Sequence, residues 1–426
     1  MVVGTIIGAS IFVQPSLVSG AVPSPAGMLL VWGAAGLLTL IGALVTAELA
    51  SAFPNTGGVY VFLRESYSPA LGFLWCWAMF WSMHTGIIAA IATVCARYVG
   101  FFVPLDDTGV RVVAIAVILA LSAINYVGVR HGSALQTAFT VVKVGAVVLI
   151  VIAGFTAPTP ASVGPTSASV VPSMGAFITA TVAGLFAFGG WHMVTYTGDE
   201  TVDARRTIPR ALMIGTLAVT AAYIAVNAAY LAVLSPSAVA ASNRVAADFA
   251  DTVLGSGGAG AMAALVVFST VGALIGIILT GPRVYLAAAQ DGLLPRSIAA
   301  VHPRFATPHH AIVLQAVWAC VLVATGTYRA LFTRVVYTEW IFFGLMAAGI
   351  FILRRRPDYA PQYRAWGYPI LPAVFILSTA VIVVNQIITD PVESAIGLGL
   401  VLAGLPVYYL RVRARPTTSV ELNANR

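Results

Sequence analysis

Hydrophobic residues run along this chain in long unbroken stretches joined by short polar connections. They show neither the strict alternation of a half-buried strand nor the single apolar stripe of a surface helix. Twelve stretches approach one bilayer crossing in length, at about 2–20, 26–53, 70–102, 111–129, 134–156, 174–198, 209–234, 259–290, 308–327, 332–353, 368–389 and 394–412. A hydrocarbon core roughly 30 Å thick takes about 20 residues of helix. Lipid offers no partner for a bare backbone amide, so each stretch must close its own hydrogen bonds. Barrel strands would be only about 10 residues long and would alternate. The pattern therefore predicts an all-α integral membrane protein with about twelve transmembrane helices.

Composition agrees with that reading. Hydrophobic residues make up 59% of the 426 and charged residues only 9%, against about 25% charged in soluble domains. A soluble fold of this length has too little interior to hide so much apolar surface. The net charge of +7 raises the possibility of a nucleic-acid partner, but its distribution argues against one. With the N-terminus inside, sixteen arginines fall on the inner connections and tail, from Arg64 and Arg130 to Arg415 and Arg426. Five fall outside: Arg97, Arg111, Arg244, Arg329 and Arg334. This is the positive-inside bias of a membrane protein with both termini cytoplasmic in a bacterial-type inner membrane. Cys76, Cys95 and Cys320 all lie in hydrophobic spans without metal or redox spacing, so no metal or cofactor is expected.

Glycine interrupts two of the spans. The first reads Gly4-Thr5-Ile6-Ile7-Gly8-Ala9-Ser10-Ile11-Phe12, and the sixth reads Gly184-Leu185-Phe186-Ala187-Phe188-Gly189-Gly190-Trp191. Glycine weakens a helix interior, and a broken helix leaves backbone groups without partners. Inside a membrane such breaks survive mainly where the backbone lines a polar cavity. Spans one and six each open a block of five, so the second block would lie upside down relative to the first. Interrupted helices in matching positions of an inverted repeat mark a substrate site near the midplane. For any single glycine, close helix packing is the simpler explanation; the paired placement favours the site. The expected divisions are 1–156 and 174–354 for the repeats, and 355–426 for two further helices and a cytoplasmic tail.

These strings resemble the amino acid–polyamine–organocation superfamily, and within it the L-type amino acid transporter branch. Residues Gly4 to Phe12 resemble its broken first helix, and Phe186 to Trp191 its broken sixth helix. Pro54-Asn55-Thr56-Gly57-Gly58-Val59-Tyr60-Val61-Phe62-Leu63-Arg64-Glu65 resembles its inner loop after helix two. Asp199-Glu200 with Arg205-Arg206-Thr207-Ile208-Pro209-Arg210-Ala211 resembles the loop after helix six. Gly281-Pro282-Arg283-Val284-Tyr285 with Asp291-Gly292-Leu293-Leu294-Pro295 resembles the end of helix eight. Leu353-Arg354-Arg355-Arg356-Pro357 and Gly404-Leu405-Pro406-Val407-Tyr408-Tyr409 resemble the last two motifs of the branch. The resemblance implies two inverted five-helix repeats plus two helices, and alternating-access transport of amino acids. Neutral L-amino acids are the expected substrates, with cationic amino acids or polyamines as the alternative. Residues 103–110 contain no cysteine, where heteromeric relatives use one to link a heavy subunit, so no such partner is expected.

The chemistry expected of the site follows from the substrate. A buried zwitterion needs donors for its carboxylate and acceptors for its ammonium. A helix restarting after Gly8 would offer the amides of Ala9, Ser10 and Ile11. Carbonyls of Ile6 and Ile7, and of Phe186, Ala187, Phe188 and Gly189, would face the ammonium, with Gly190 completing the second break. By resemblance Phe186 would cover the substrate, and Trp191 and Trp340 would be pocket walls. His192 departs from the branch pattern; packing is the commoner role for such a histidine, and tuning of selectivity or pH response is the alternative. Ala9 and Ser10 stand where the branch more usually has glycine and serine, which bears on helix geometry or pocket size.

Lys143 is the chain's single lysine and sits mid-span, where an unpaired ammonium is costly. The resemblance implies that it replaces a bound cation, tethering helix five to the broken first helix and to Ser269 and Thr270 on helix eight, without sodium. Glu48 is expected to pair with an inner arginine, Glu339 to pair or to bias the pocket toward a cation, and His84 and Asn125 to bond between helices. Seven residues precede Gly8, giving roughly 10 Å of helix against the roughly 15 Å of half a bilayer core. The expectation is a start upstream of Met1. No clustered nucleophile, base or metal set suggests an enzyme, and no charge ring suggests a channel.

Overall fold

The computed structural model describes residues 1–8, 10–157, 172–255, 257–326 and 328–413. Ala9, most of the 157–173 connection, and Arg415 and Arg426 of the tail lie outside the described residues. The helices in chain order are α1 (Val2–Ile6), α2 (Ser10–Ala21), α3 (Pro25–Ala52), α4 (Val59–Ser66), α5 (Pro69–Ala78), α6 (His84–Val99), α7 (Asp107–Val127), α8 (Val129–Thr156) and α9 (Met174–Ala187). They continue as α10 (Ala204–Val233), α11 (Pro236–Ala241), α12 (Val245–Leu254), α13 (Gly258–Gln290), α14 (His309–Thr325), α15 (Tyr328–Leu353), α16 (Ile370–Thr389), α17 (Pro391–Leu402) and α18 (Gly404–Arg413). Among the described residues there is no strand.

Each predicted hydrophobic stretch has a helical counterpart. Among the described residues nine are long and apolar enough to cross a membrane, α14 and the end of α15 are shorter apolar helices, and the first is split into α1 and α2. The third crossing joins α5 to α6 through a single wide turn at Met79–Met83, a local bulge of the kind that often marks a functional region. Burial separates the helices into two sets. The Pro69–Val99 and Gly258–Gln290 spans are 83% and 72% buried, against 22% for Gln136–Thr156 and 17% for Pro391–Val412. The first set forms the centre of the bundle. The second turns apolar surface outward, as lipid-facing helices must, since hydrocarbon is their solvent.

Local chemistry sets the helix starts. Ser24, Ser68 and Ser235 each precede a proline that opens the next helix, and their side chains accept the amides of Gly27, Leu71 and Ala238. Asp106 caps α7 through the amide of Gly109 at 2.7 Å. Proline at the first helical position gives up an amide that would be unpaired anyway, and the capping oxygen satisfies another.

Three stretches show local structure beyond the broad pattern of spans. Residues 54–65 are not simply a loop, because α4 forms there with Tyr60, Phe62 and Leu63 buried. The 235–258 segment folds into α11 and α12, whose Val239, Val245 and Phe249 bury their apolar faces in the bundle. The last span divides at Ala403 into α17 and α18. Asn125 does not bond between helices: its amide returns to Leu121 O of its own helix at 3.0 Å. His84 does, its Nε2 lying 2.8 Å from Ile277 O on α13.

Candidate functional site

Both glycine-weakened spans are broken in the structure. The first stops at Ile6, Ile7 turns to an extended conformation (φ −71°, ψ 93°), and helix resumes at Ser10. The sixth stops at Ala187, and Gly190 takes φ +94° before a 3-10 stretch over Trp191–Glu200. That φ lies in the region open to glycine and costly for other residues. The amides of the first turn of α2 have no acceptor within their helix, by the geometry of a helix start.

The two breaks touch. The Thr5 hydroxyl lies 3.2 Å from Gly190 O. A Cβ on Gly190 would stand 3.2 Å from Thr5 O. The Tyr223 hydroxyl on α10 reaches the last carbonyls on both sides, Ile6 O at 3.0 Å and Ala187 O at 3.1 Å. One phenol therefore bridges the ends of both half-helices. Tyr223 did not stand out in the sequence, although a tyrosine inside a hydrocarbon span must find a partner for its hydroxyl.

Lys143 supports the first break from behind. It is 2% exposed, and its Nζ donates to Gly4 O at 3.2 Å and Ile7 O at 2.8 Å. Gly4 permits the approach, since a Cβ there would collide with the Thr140 hydroxyl. Ser269 Oγ lies 3.4 Å from Gly8 O, so α13 reaches the same break. Thr270 does not join this group, because its hydroxyl turns to Val267 O of its own helix at 2.7 Å. In a long apolar helix that backbone carbonyl is the nearest acceptor.

Between the breaks lies a narrow cavity with about 570 Å³ of atom-free space, counting its mouth. Ile6, Gly8 and Ser10 line it from the first span, and Phe186, Gly189 and Trp191 from the sixth. Glu339, Trp340 and Phe343 close it from α15, and Ile87, Ile91 and Ile277 add apolar walls. Six of the expected residues that the structure describes stand back from it, Gly190 among them at its contact with Thr5. Ile7 and Ala187 lie outside the lining, with Ile7 O facing Lys143 and Ala187 O facing Tyr223. Ile11 is fully buried in the core. Phe188 packs against Trp32 and Tyr223. His192 is held edge-on among Trp75, Trp191, Tyr196 and Phe343, so its ring is a packing element behind the wall. The sequence marked it as polar and adjacent to the break, but 3-10 geometry turns it away from the lining.

One end of the bundle is tied by charged pairs, and apart from Glu48 their charged members come from the motif strings themselves. Glu48, fully buried, accepts two hydrogen bonds from Arg354 at 2.9 and 2.5 Å, and also the Ala365 amide and the Tyr359 hydroxyl. The carboxylate holds Arg354 above its ordinary range, against the opposing effect of burial. Glu200 grips Arg283 through both oxygens at 2.8 and 2.7 Å. Asp291 accepts from Tyr60 and Arg64, and Thr56 and Asp199 exchange bonds at 3.0 and 3.3 Å. The 54–65, 199–200, 281–295 and 353–357 strings are thus one interlocked surface.

Two broken helices facing a shared cavity inside a lipid-embedded bundle define a multi-pass solute permease. The chain belongs to the amino acid permease family, whose model matches residues 1–406. It is similar to the human large neutral amino acids transporter small subunit 2, with 32% identity over 425 residues covering 97% of this chain and 78% of the relative. It is also similar to the human Asc-type amino acid transporter 1, at 30% identity with 98% and 82% covered. The mouse b(0,+)-type amino acid transporter 1 is 30% identical, with 97% and 86% covered.

Proposed function

We propose that this chain is a sodium-independent secondary transporter of neutral L-amino acids that works by alternating access. The observation that carries the reading is the meeting of the two helix breaks at Thr5 and Gly190 around a single cavity. The amides at the start of α2, beginning with Ser10, bind the substrate carboxylate, assisted by the positive end of the helix dipole. Carbonyls of Ile6 and Phe186 keep a lone pair for the ammonium, since each carbonyl oxygen accepts two bonds. Phe186, Trp191 and Trp340 surround the side chain. Because the charged ends are read by backbone, the site accepts several apolar side chains. The name of one relative, the large neutral amino acids transporter small subunit 2, supports this choice of substrate.

Lys143 is the fixed positive charge that makes a bound sodium ion unnecessary. Residues 1–156 and 174–354 act as the two inverted halves, and 355–426 as an appendix to them. The arginine distribution supports cytoplasmic termini and an inner-membrane location. The absence of cysteine at 103–110 supports function without a disulfide-linked heavy subunit. Uptake of labelled amino acids into proteoliposomes, with and without preloaded substrate and with sodium replaced by choline, tests the proposal. Saturable uptake of leucine or alanine that ignores sodium is the expected result. Failure of every amino acid and amine rejects it. Glu339 in the cavity wall favours a second reading, carriage of cationic amino acids or polyamines, which the same assay with arginine, lysine and putrescine separates.

A further inference from the structure

Glu339 brings a carboxyl group to a cavity otherwise lined by apolar, hydroxyl and backbone groups. It is 7% exposed and makes no ion pair among the described residues. Of the titratable groups on the elements packed against α15, Arg97 on α6 is exposed and Glu65 on α4 pairs with Arg64. Cys95 and Tyr98 on α6 carry no positive charge. The remainder are committed elsewhere. Glu48 on α3 holds Arg354, and Tyr60 and Arg64 on α4 hold Asp291. His84 on α6 meets Ile277 O, and Glu393 on α17 has its own interaction. The wide turn at 79–83 and α16 carry no titratable side chain.

Behind the wall stand His192 and Tyr196. The Tyr196 hydroxyl is buried with no hydrogen-bond partner. The His192 ring packs against Tyr196 and Phe343, with Nδ1 also unpartnered. An ionised carboxylate closed in such a place without a cation costs several kcal/mol. A neutral amino acid brings no net charge to offset it. Closing the cavity around that substrate therefore requires a proton on Glu339.

The geometry points to Glu339 as a proton-carrying group that makes neutral amino acid uptake a proton symport. The inference rests on the transport reading above. When the cavity opens to one side, a carboxylate oxygen takes a proton from water. The neutral acid is then closed in with the substrate, and the proton returns to water when the cavity opens to the other side. Only an O–H bond is made and broken, and one proton accompanies each amino acid.

The test uses the full chain in proteoliposomes, with a trapped pH dye and labelled leucine. Two readouts are compared: exchange against preloaded leucine, and uphill accumulation driven by an alkaline interior. In the wild type, net leucine entry should acidify the lumen, and an imposed gradient of one pH unit should raise accumulation up to about tenfold, the ratio equivalent to about 1.4 kcal/mol. In Glu339→Gln the gradient response should vanish while exchange is still measurable, and Glu339→Asp should restore it. The split between the readouts decides, not the rate of either. Since the amide variant can fail to fold, the wild type is decisive alone: leucine exchange with neither lumen acidification nor gradient-driven accumulation overturns the proposal while leaving the transport reading intact. A Glu339→Gln protein that still accumulates leucine with the gradient overturns it too, as does preferential uptake of arginine or putrescine. Absence of all exchange and uptake overturns the transport reading itself.

Discussion

The hydroxyl of Thr5 stands 3.2 Å from the carbonyl oxygen of Gly190, so the break in the first span and the break in the sixth are in direct contact. Each break alone would be a defect in a membrane helix, leaving backbone groups unpaired in hydrocarbon. Brought together, they expose those groups to one small cavity and shield them from lipid.

Gly190 is the position where this contact leaves least room. A side chain there has to adopt φ +94° and press on Thr5 O. Gly190→Ala should cost about 1–2 kcal/mol from the left-handed backbone alone. It should lower the melting temperature in detergent and cut uptake about tenfold or more, because the displaced atoms line the site. Wild-type melting and uptake in this variant would show that the two breaks do not depend on each other.

Lys143→Ala removes the ammonium that satisfies Gly4 O and Ile7 O. Transport should be lost while the protein still reaches the membrane, measured by uptake normalised to surface labelling. Wild-type uptake should be equal in sodium and choline buffers. A strict sodium requirement, or full activity in the variant, contradicts the role given to Lys143.

The Glu48–Arg354 pair predicts an asymmetric loss of stability. Glu48 is fully buried, whereas Arg354 is 15% exposed and can swing toward water. Arg354→Ala strands a buried carboxylate and should cost about 3–5 kcal/mol. Glu48→Ala should cost less, and Glu48→Leu with Arg354→Met should recover much of the loss. Thermal unfolding of the three variants in detergent provides the comparison; equal losses in both single variants would mean that Glu48 is solvated.

Tyr223→Phe deletes the bridge between Ile6 O and Ala187 O. About 0.5–1.5 kcal/mol of stability should be lost with the hydrogen bond. Uptake should fall further than stability accounts for, since both half-helix ends are freed. A variant with normal uptake would reduce Tyr223 to packing.

Much of this arrangement was legible in the sequence, for identifiable reasons. Unbroken apolar stretches declare helices because lipid permits no alternative. The glycines at 8, 189 and 190 declare breaks, and mid-span Lys143 declares a partner. What stayed hidden depends on rotation and neighbours. His192 follows the break by two residues, yet the 3-10 turn packs it behind Trp191. Ile7 O looked available to a substrate until Lys143 was seen to hold it. Tyr223 lies more than thirty residues beyond the second break, so no local pattern connects it to the site. Residues 54–65 read as a loop by resemblance alone, while the amphipathic segment after Gly58 folds as α4.

The most direct measurement is a structure of the full chain in lipid nanodiscs with saturating leucine. The account predicts density for one amino acid between Gly8 and Gly189, its carboxylate at the first amides of α2 and its side chain against Phe186 and Trp340. Substrate density elsewhere, or first and sixth helices running straight through with Thr5 and Gly190 apart, would contradict it.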